Sequence, residues 1–192
     1  MSASEDEQES SPWDTGKPQP ALIDLEKSGW IRGSVLDIGC CSGENTLYLA
    51  SKGYTVTGID SSPTFIARAL LKAARRNLKV KFLLFDSLQL EHLGMSFDTV
   101  IDCGLFHSFP LETRPLFLSS LHRVLRTGGF YHVLCYAEGD LGFSGPKRMT
   151  KGEIRHYFTE GWEVKEITRI RFETNDSKGE YWGLLASILR LP

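Results

Sequence analysis

No apolar run in this chain approaches the roughly 18 residues needed to cross a bilayer, and no signal-peptide pattern opens it. A membrane or secretory role is therefore not expected, and the location read from the sequence is cytoplasmic. Excess charge of either sign is also missing: the net charge is −2 and the pI is near 6.2. A general nucleic-acid binder carries a basic footprint, so that class is set aside. The densest positives, Lys72, Arg75, Arg76, Lys79 and Lys81, have no aromatic residue between them. They read as the solvated end of a helix rather than as a stacking surface for RNA. Cysteine is sparse. Cys40, Cys41, Cys103 and Cys135 form no C-x-x-C pair and fall in or beside expected strands, so they read as reduced and buried. The neighbours Cys40 and Cys41 read as small turn and core residues rather than a redox couple. His92, His107, His122, His132 and His156 show no metal-ligand spacing, and no metal site is expected.

What is present is enough apolar content for one domain: 41% of 192 residues. Residues 1–11 hold Glu5, Asp6, Glu7 and Glu9 and almost nothing apolar, which reads as a disordered acidic tail. Residues 12–192 read as a single domain without repeats or linkers. Within it strands and helices alternate. Strands are expected at 35–38, 55–59, 80–85, 99–103, 131–136, 162–172 and 181–189. Helices are expected at 19–28, 45–50, 63–76 and 112–126, with a last one opening at a Thr150/Glu153 capping box and running to 158. Ser62 with Pro63 marks the start of the 63–76 helix, whose buried residues should be Phe65, Ile66, Ala69 and Leu70. Gly128 and Gly129 should end the 112–126 helix. The final two strands alternate polar and apolar residues and face each other across a short turn, which predicts an antiparallel hairpin closing the sheet. The fold class is thus α/β: a Rossmann-like, doubly wound, seven-stranded, mostly parallel sheet with an antiparallel last strand and helices on both faces.

The most informative stretch runs from Val35 to Glu44. An apolar strand (Val35, Leu36, Ile38) passes into a turn with Gly39 and Gly43 and then directly into a helix, where open α/β sheets bind nucleotides. Asp60 ends the next strand, about 20 residues past the turn, where a carboxylate accepts both ribose hydroxyls. Nicotinamide dinucleotides and S-adenosylmethionine both fit this much. Glu44 helps separate them, because it occupies the first helical turn, where the macrodipole favours an anion by about 0.3–1 kcal/mol. A pyrophosphate would compete for that position, while a cationic sulfonium would not. The spacing also departs from G-x-G-x-x-G, since Cys41 stands where that fingerprint has its second glycine.

On these residues, from Asp37 through Leu47, with Gly58-Ile59-Asp60-Ser61-Ser62-Pro63 and Phe97-Asp98-Thr99-Val100-Ile101-Asp102, the chain resembles class I S-adenosylmethionine-dependent methyltransferases. Pro12-Trp13-Asp14-Thr15-Gly16-Lys17-Pro18 and Gly104-Leu105-Phe106-His107-Ser108-Phe109 are similar to the small-molecule branch containing thiol, thiopurine, halide and tellurite-resistance enzymes. The family usually has glycine at the position of Cys41. The resemblance implies S-adenosylmethionine as cofactor and S-adenosylhomocysteine as product. It further implies contacts from Trp13, Asp37, Gly39, Cys40, Gly43, Asp60, Ser61, Asp86, Ser87, Asp102 and Cys103. Asp86 would accept from the exocyclic amine of adenine and the Ser87 N–H would reach the ring, while Asp37, Asp102 and Cys103 would lie near the methionine portion. A segment at about 12–20 would act as a lid carrying Trp13, ordering when cofactor binds.

Little else is required of the protein, because a sulfonium is an activated methyl donor and the displacement needs only an in-line nucleophile held close. Trp13, Phe106, His107, Phe109 and Phe143 are the candidate substrate pocket, and His107 is the candidate general base, since it follows the fourth strand. The fourth strand runs Asp102-Cys103-Gly104-Leu105 and lacks the Pro-Pro-aromatic pattern of adenine and glutamine methyltransferases. A small thiol or phenolic acceptor is therefore expected, ahead of halide or tellurite. Two alternatives stay open at this point: a nicotinamide-dependent reductase, and a catalytically silent S-adenosylmethionine-binding protein. Oligomeric state is not legible.

Overall fold

The computed structural model describes residues 13–138, 148–175 and 180–192; residues 1–12 and Phe143 lie outside them. Seven strands form one sheet in the order β3-β2-β1-β4-β5-β7-β6. They are β1 (Ser34–Ile38), β2 (Thr55–Asp60), β3 (Lys81–Leu84), β4 (Phe97–Cys103), β5 (Leu125–Tyr136), β6 (Trp162–Glu173) and β7 (Glu180–Arg190). The first five are mutually parallel, and β7 slots between β5 and β6, antiparallel to both. The expected hairpin is present, with its second strand taking the inner place because β7 is the more apolar and is covered on both faces.

Helices α1 (Pro20–Lys27), α2 (Glu44–Ser51) and α3 (Pro63–Arg75) contribute to the apolar clusters on one face. On the other, α4 (Arg114–Val124), α5 (Lys151–Tyr157) and the 3-10 segment Ser87–Leu93 contribute to the main core with Phe97, Val100 and Tyr131. Each fully buried Leu or Phe here contributes roughly 1.5–3 kcal/mol. Capping sets the helix starts. Ser62 Oγ accepts from the Phe65 N–H at 3.2 Å, and Thr150 with Glu153 forms the full capping box, each contribution worth about 1 kcal/mol.

Some expectations are corrected. Leu70 is 48% exposed, because the inner stripe of α3 is Ile66, Ala69 and Ala73, one position round the helix. Helix α4 stops at Val124 and the chain turns extended at Leu125, so Gly128 and Gly129 lie inside β5. Pairing with β4 shifts register between Phe97 and Thr99, and a Cβ on Gly129 would sit 2.8 Å from the Asp98 carbonyl. The glycine serves a bulge rather than a helix end.

The parallel register places several strand ends along one edge. Ile38 pairs with Ile59 and Asp102, Asp60 with Leu84, and Cys103 with Leu134. The residues just beyond these ends, Gly39, Ser61, Phe85 and Gly104, consequently lie side by side, at the reversal of strand order between β1 and β4 where open α/β sheets take ligands.

Candidate active site

A cavity of about 270 Å³ lies at this edge. Its wall contains Trp13, Gly39, Asp60, Ser61, Asp86, Ser87, Cys103 and Phe109 of the residues expected from sequence. Cys41, Ile59, Phe85, Gly104, Leu105 and Ser108 join them. None of these six is among the expected contacts, although each directly follows or precedes one of the named site residues, which is the signal that would have found them.

The turn that opens the site is shaped by backbone. Gly39 has φ +68°, the left-handed region that favours glycine, and a Cβ there would only touch Leu105 at 3.4 Å. Cys41 adopts φ +47°, the left-handed region that disfavours a side chain, by about 1 kcal/mol or more. Its N–H donates to Asp60 Oδ2 at 2.9 Å, and the Ser62 N–H donates to Asp60 Oδ1 at 2.9 Å. Two donors thus fix the Asp60 carboxylate at the cavity edge. Asp86 is exposed and caps the following 3-10 segment, its Oδ1 accepting from the Leu88 N–H at 2.9 Å.

Asp37 and Asp102 lie behind the wall rather than in it. Asp37 is buried, accepts from the Thr46 hydroxyl, and has no partner at Oδ1 among the described residues. Burial raises its pKa to about 7, the Thr46 hydrogen bond opposing the shift. Asp102 accepts from the Leu105 and Phe106 N–H groups at 2.7 and 3.0 Å and from the Tyr131 hydroxyl at 2.7 Å. Burial again dominates, and its pKa rises to about 6. The Asp102 side chain therefore shapes the loop after β4 instead of facing the cavity. Gly43, at φ +85°, packs against Phe82 and Ala69, and Cys40 lines only a smaller neighbouring cavity beside Asn45 and Lys17.

Two further expectations are corrected, Phe106 as pocket wall and His107 as general base. Phe106 is fully buried among Phe117, Tyr157 and Phe158, so it is core and not wall. His107 is 1% exposed, and neither ring nitrogen has a partner among the described residues. Burial first, and then the Arg114 guanidinium, push its pKa down to about 3, too weak for a general base near neutrality. Arg114 itself escaped the sequence reading. It is fully buried, donates to the His107 and Phe109 carbonyls at 3.1 and 3.3 Å, and stacks over Phe106 and Tyr157, pinning this loop.

Glu44 is corrected as well. It is 8% exposed and paired with Lys72 at 2.8 Å and Arg76 at 2.9 Å. Two cations offset its charge, so it is an ion-paired carboxylate rather than a lone anion at the helix start. The same Lys72 bonds Ser42, which is bonded to Asp14, and Lys17 pairs with Glu173 at 2.7 Å. The segment carrying Trp13 is thereby tied down beside the cavity that Trp13 lines.

The comparisons with known proteins decide what this arrangement is. Residues 35–129 match a methyltransferase domain. A 2-heptyl-1-hydroxyquinolin-4(1H)-one methyltransferase from Mycobacteroides abscessus is 35% identical, across 85% of this chain and 74% of its own length. The chain belongs to the S-adenosylmethionine-dependent methyltransferases. A probable thiol methyltransferase 2 from Arabidopsis thaliana is 30% identical over 88% of this methyltransferase and 76% of its own length. A structure solved in work on the conversion of a disulfide bond into a thioacetal group during echinomycin biosynthesis superposes with TM-score 0.85. It is 34% identical and covers 94% of this chain and 86% of that one. The methyltransferase is an enzyme of the small-molecule kind, with S-adenosylmethionine as its cofactor. The site fits that cofactor, since Asp60 is held at the cavity edge by backbone donors and Gly39 keeps the wall close. Among the described residues no metal-holding cluster occurs, and no helix is long and apolar enough to cross a membrane.

Proposed function

We propose that this methyltransferase alkylates a thiol or phenol-like hydroxyl on a small, largely apolar molecule by in-line displacement. The carrying observation is the character of the cavity wall. Beyond the strand-end acids Asp60 and Asp86, it consists of aromatic, aliphatic and small polar groups, including Trp13, Leu105 and Phe109. S-adenosylmethionine supplies, when bound, a methyl group already activated on a positive sulfonium. Asp60 would accept from the ribose hydroxyls, Asp86 from the adenine amine, and the backbone at Cys103 and Gly104 would border the methionine end. Asp37, behind the turn, would favour the cationic end of the cofactor through its field.

Attack by an anionic sulfur or oxygen on a sulfonium disperses charge, so an apolar, water-poor wall assists it. Orientation contributes as much as about 7–11 kcal/mol to such a displacement without a base. The two relatives, a hydroxyquinolone methyltransferase and a probable thiol methyltransferase, support this acceptor class. The segment carrying Trp13 would act as a strap that covers the donor and excludes water until an acceptor enters. Residues 12–192 would act as one catalytic domain.

The test is a panel assay of S-adenosylhomocysteine release with thiols, phenols, N-hydroxy heterocycles and chalcogen oxyanions. Turnover with thiols or aromatic hydroxyls is the expected result. Turnover confined to oxyanions, or none with an intact cofactor site, would overturn the acceptor class.

A further inference from the structure

The indole of Trp13 fills an aromatic cage beside the cofactor cavity. Its ring centroid lies 4.7 Å from Tyr136, 5.1 Å from Phe172 and 5.6 Å from His107. All three wall residues are buried, whereas Trp13 is only partly so. Underneath, the ring rests on Gly104, whose φ is +102° and whose Cβ, were there one, would come within 3.2 Å of the indole. Gly104 also lines the cofactor cavity, so whatever occupies the cage touches the wall of the donor site.

Two independent features mark the cage as a ligand site rather than ordinary packing. The first is His107, a polar ring more than nine-tenths buried, whose two nitrogens find no hydrogen-bond partner among the described residues while its ring borders the indole. A buried polar group without a partner is costly, and an indole edge does not satisfy it. A hydroxyl in the same place would. The second is how Trp13 is held. The segment behind it is attached by polar contacts, Lys17 with Glu173 and Asp14 with Ser42, which water can replace. The cage walls, by contrast, stand on β5, β6 and the loop pinned by Arg114.

We propose that this cage is the methyl-acceptor site, that it takes a planar bicyclic aromatic hydroxyl or thiol, and that Trp13 occupies it until such an acceptor displaces the strap. The assignment rests on the methyl-transfer reading above and adds where the acceptor sits and what shape it has. Tyr136 and Phe172 meet the ring faces and edges, and a His107 nitrogen accepts from the acceptor hydroxyl. His107 stays neutral in this setting, so it orients the hydroxyl without taking up the proton. In the transfer a new carbon–oxygen or carbon–sulfur bond forms as the methyl–sulfonium bond breaks. The acceptor proton passes to water before the attack, and the electron pair of the breaking bond goes to the cofactor sulfur, which becomes a neutral thioether.

The experiment uses the full chain saturated with S-adenosylhomocysteine, with Trp13→Ala beside the wild type. Indole is titrated into each by calorimetry, followed by 1-naphthol as competitor. The expected result is indole binding at least tenfold tighter to Trp13→Ala than to wild type, and displacement of that indole by 1-naphthol. In the wild type, 1-naphthol should speed hydrogen exchange in residues 13–17, a measurement that needs no variant. Indole that fails to bind a variant still able to bind S-adenosylhomocysteine would overturn the assignment. So would methylation of 1-naphthol with indole still bound, which leaves the methyltransferase reading intact. 1-Naphthol that displaces indole yet is never methylated, with no other panel compound methylated either, overturns the acceptor reading above, and this assignment with it.

Discussion

Asp37→Asn is expected to make the ligand-free protein more stable above neutral pH and almost unchanged in acid. The carboxyl is buried with one oxygen unpartnered, and its pKa stands at about 7 against an ordinary 3.8. A folded-state pKa above the unfolded one means that the folded chain holds the proton longer. Stability from this group is therefore fully present below the unfolded pKa and is lost as pH rises through the folded one. At 1.36 kcal/mol per unit, the loss on passing from about pH 4 to above pH 7 reaches at most about 4 kcal/mol. Asparagine keeps an acceptor for the Thr46 hydroxyl and carries no charge, so it escapes that loss. Urea unfolding of both proteins at about pH 4, 6 and 8 measures it, with the difference between them growing at each step. Asp102 shifts in the same direction, but its three donors make its removal a less clean probe. A stability difference that does not vary with pH would refute the reasoning. A further reading of the same linkage is that a cationic cofactor stabilises ionised Asp37. Affinity should then rise between about pH 6 and 8 in the wild type and stay flat in the variant.

Asp60→Asn should weaken S-adenosylhomocysteine about 100-fold, near 2.7 kcal/mol, because one of the two fixed acceptors becomes a donor facing an N–H; calorimetry giving a loss under threefold would contradict this. Cys41→Gly should raise stability by up to about 1 kcal/mol, since a side chain leaves a left-handed position, with cofactor affinity the same or tighter; thermal unfolding with and without ligand checks both. Glu44→Gln should lower stability by about 1–2 kcal/mol at low salt, and by less in high salt, because its partners Lys72 and Arg76 are partly exposed and screened.

Much of the fold could be read from the chain because its signals are local. The apolar run at Val35 to Ile38, the Ser62-Pro63 start and the Thr150/Glu153 box each determine a structure within a few residues of themselves. The strand-end acids Asp60 and Asp86 were legible for the same reason, since ending a parallel strand already fixes which edge of the sheet they reach. What the chain concealed depends on packing between distant segments. The turn Phe106–Ser108 is too short to show a periodicity, so nothing local said that Phe106 faces Phe117 and Phe158 or that His107 lies beneath Trp13. The cations opposite Glu44 come from α3 and its C-cap, about thirty residues away, and read in isolation as a solvated cluster. Gly128 and Gly129 resemble a helix stop until the pairing of β5 with β4 demands a bulge there.

The proposed methyl transfer from S-adenosylmethionine to a small thiol or aromatic hydroxyl at the β1–β4 edge can be followed atom by atom. Incubating the protein with S-adenosylmethionine bearing a trideuterated methyl group, together with 1-naphthol and thiophenol, and weighing the products by mass spectrometry tests it directly. At least one acceptor should gain a single trideuteromethyl group, at a rate that collapses in Asp60→Asn. Label found in neither acceptor, or transferred equally well by Asp60→Asn, would contradict it.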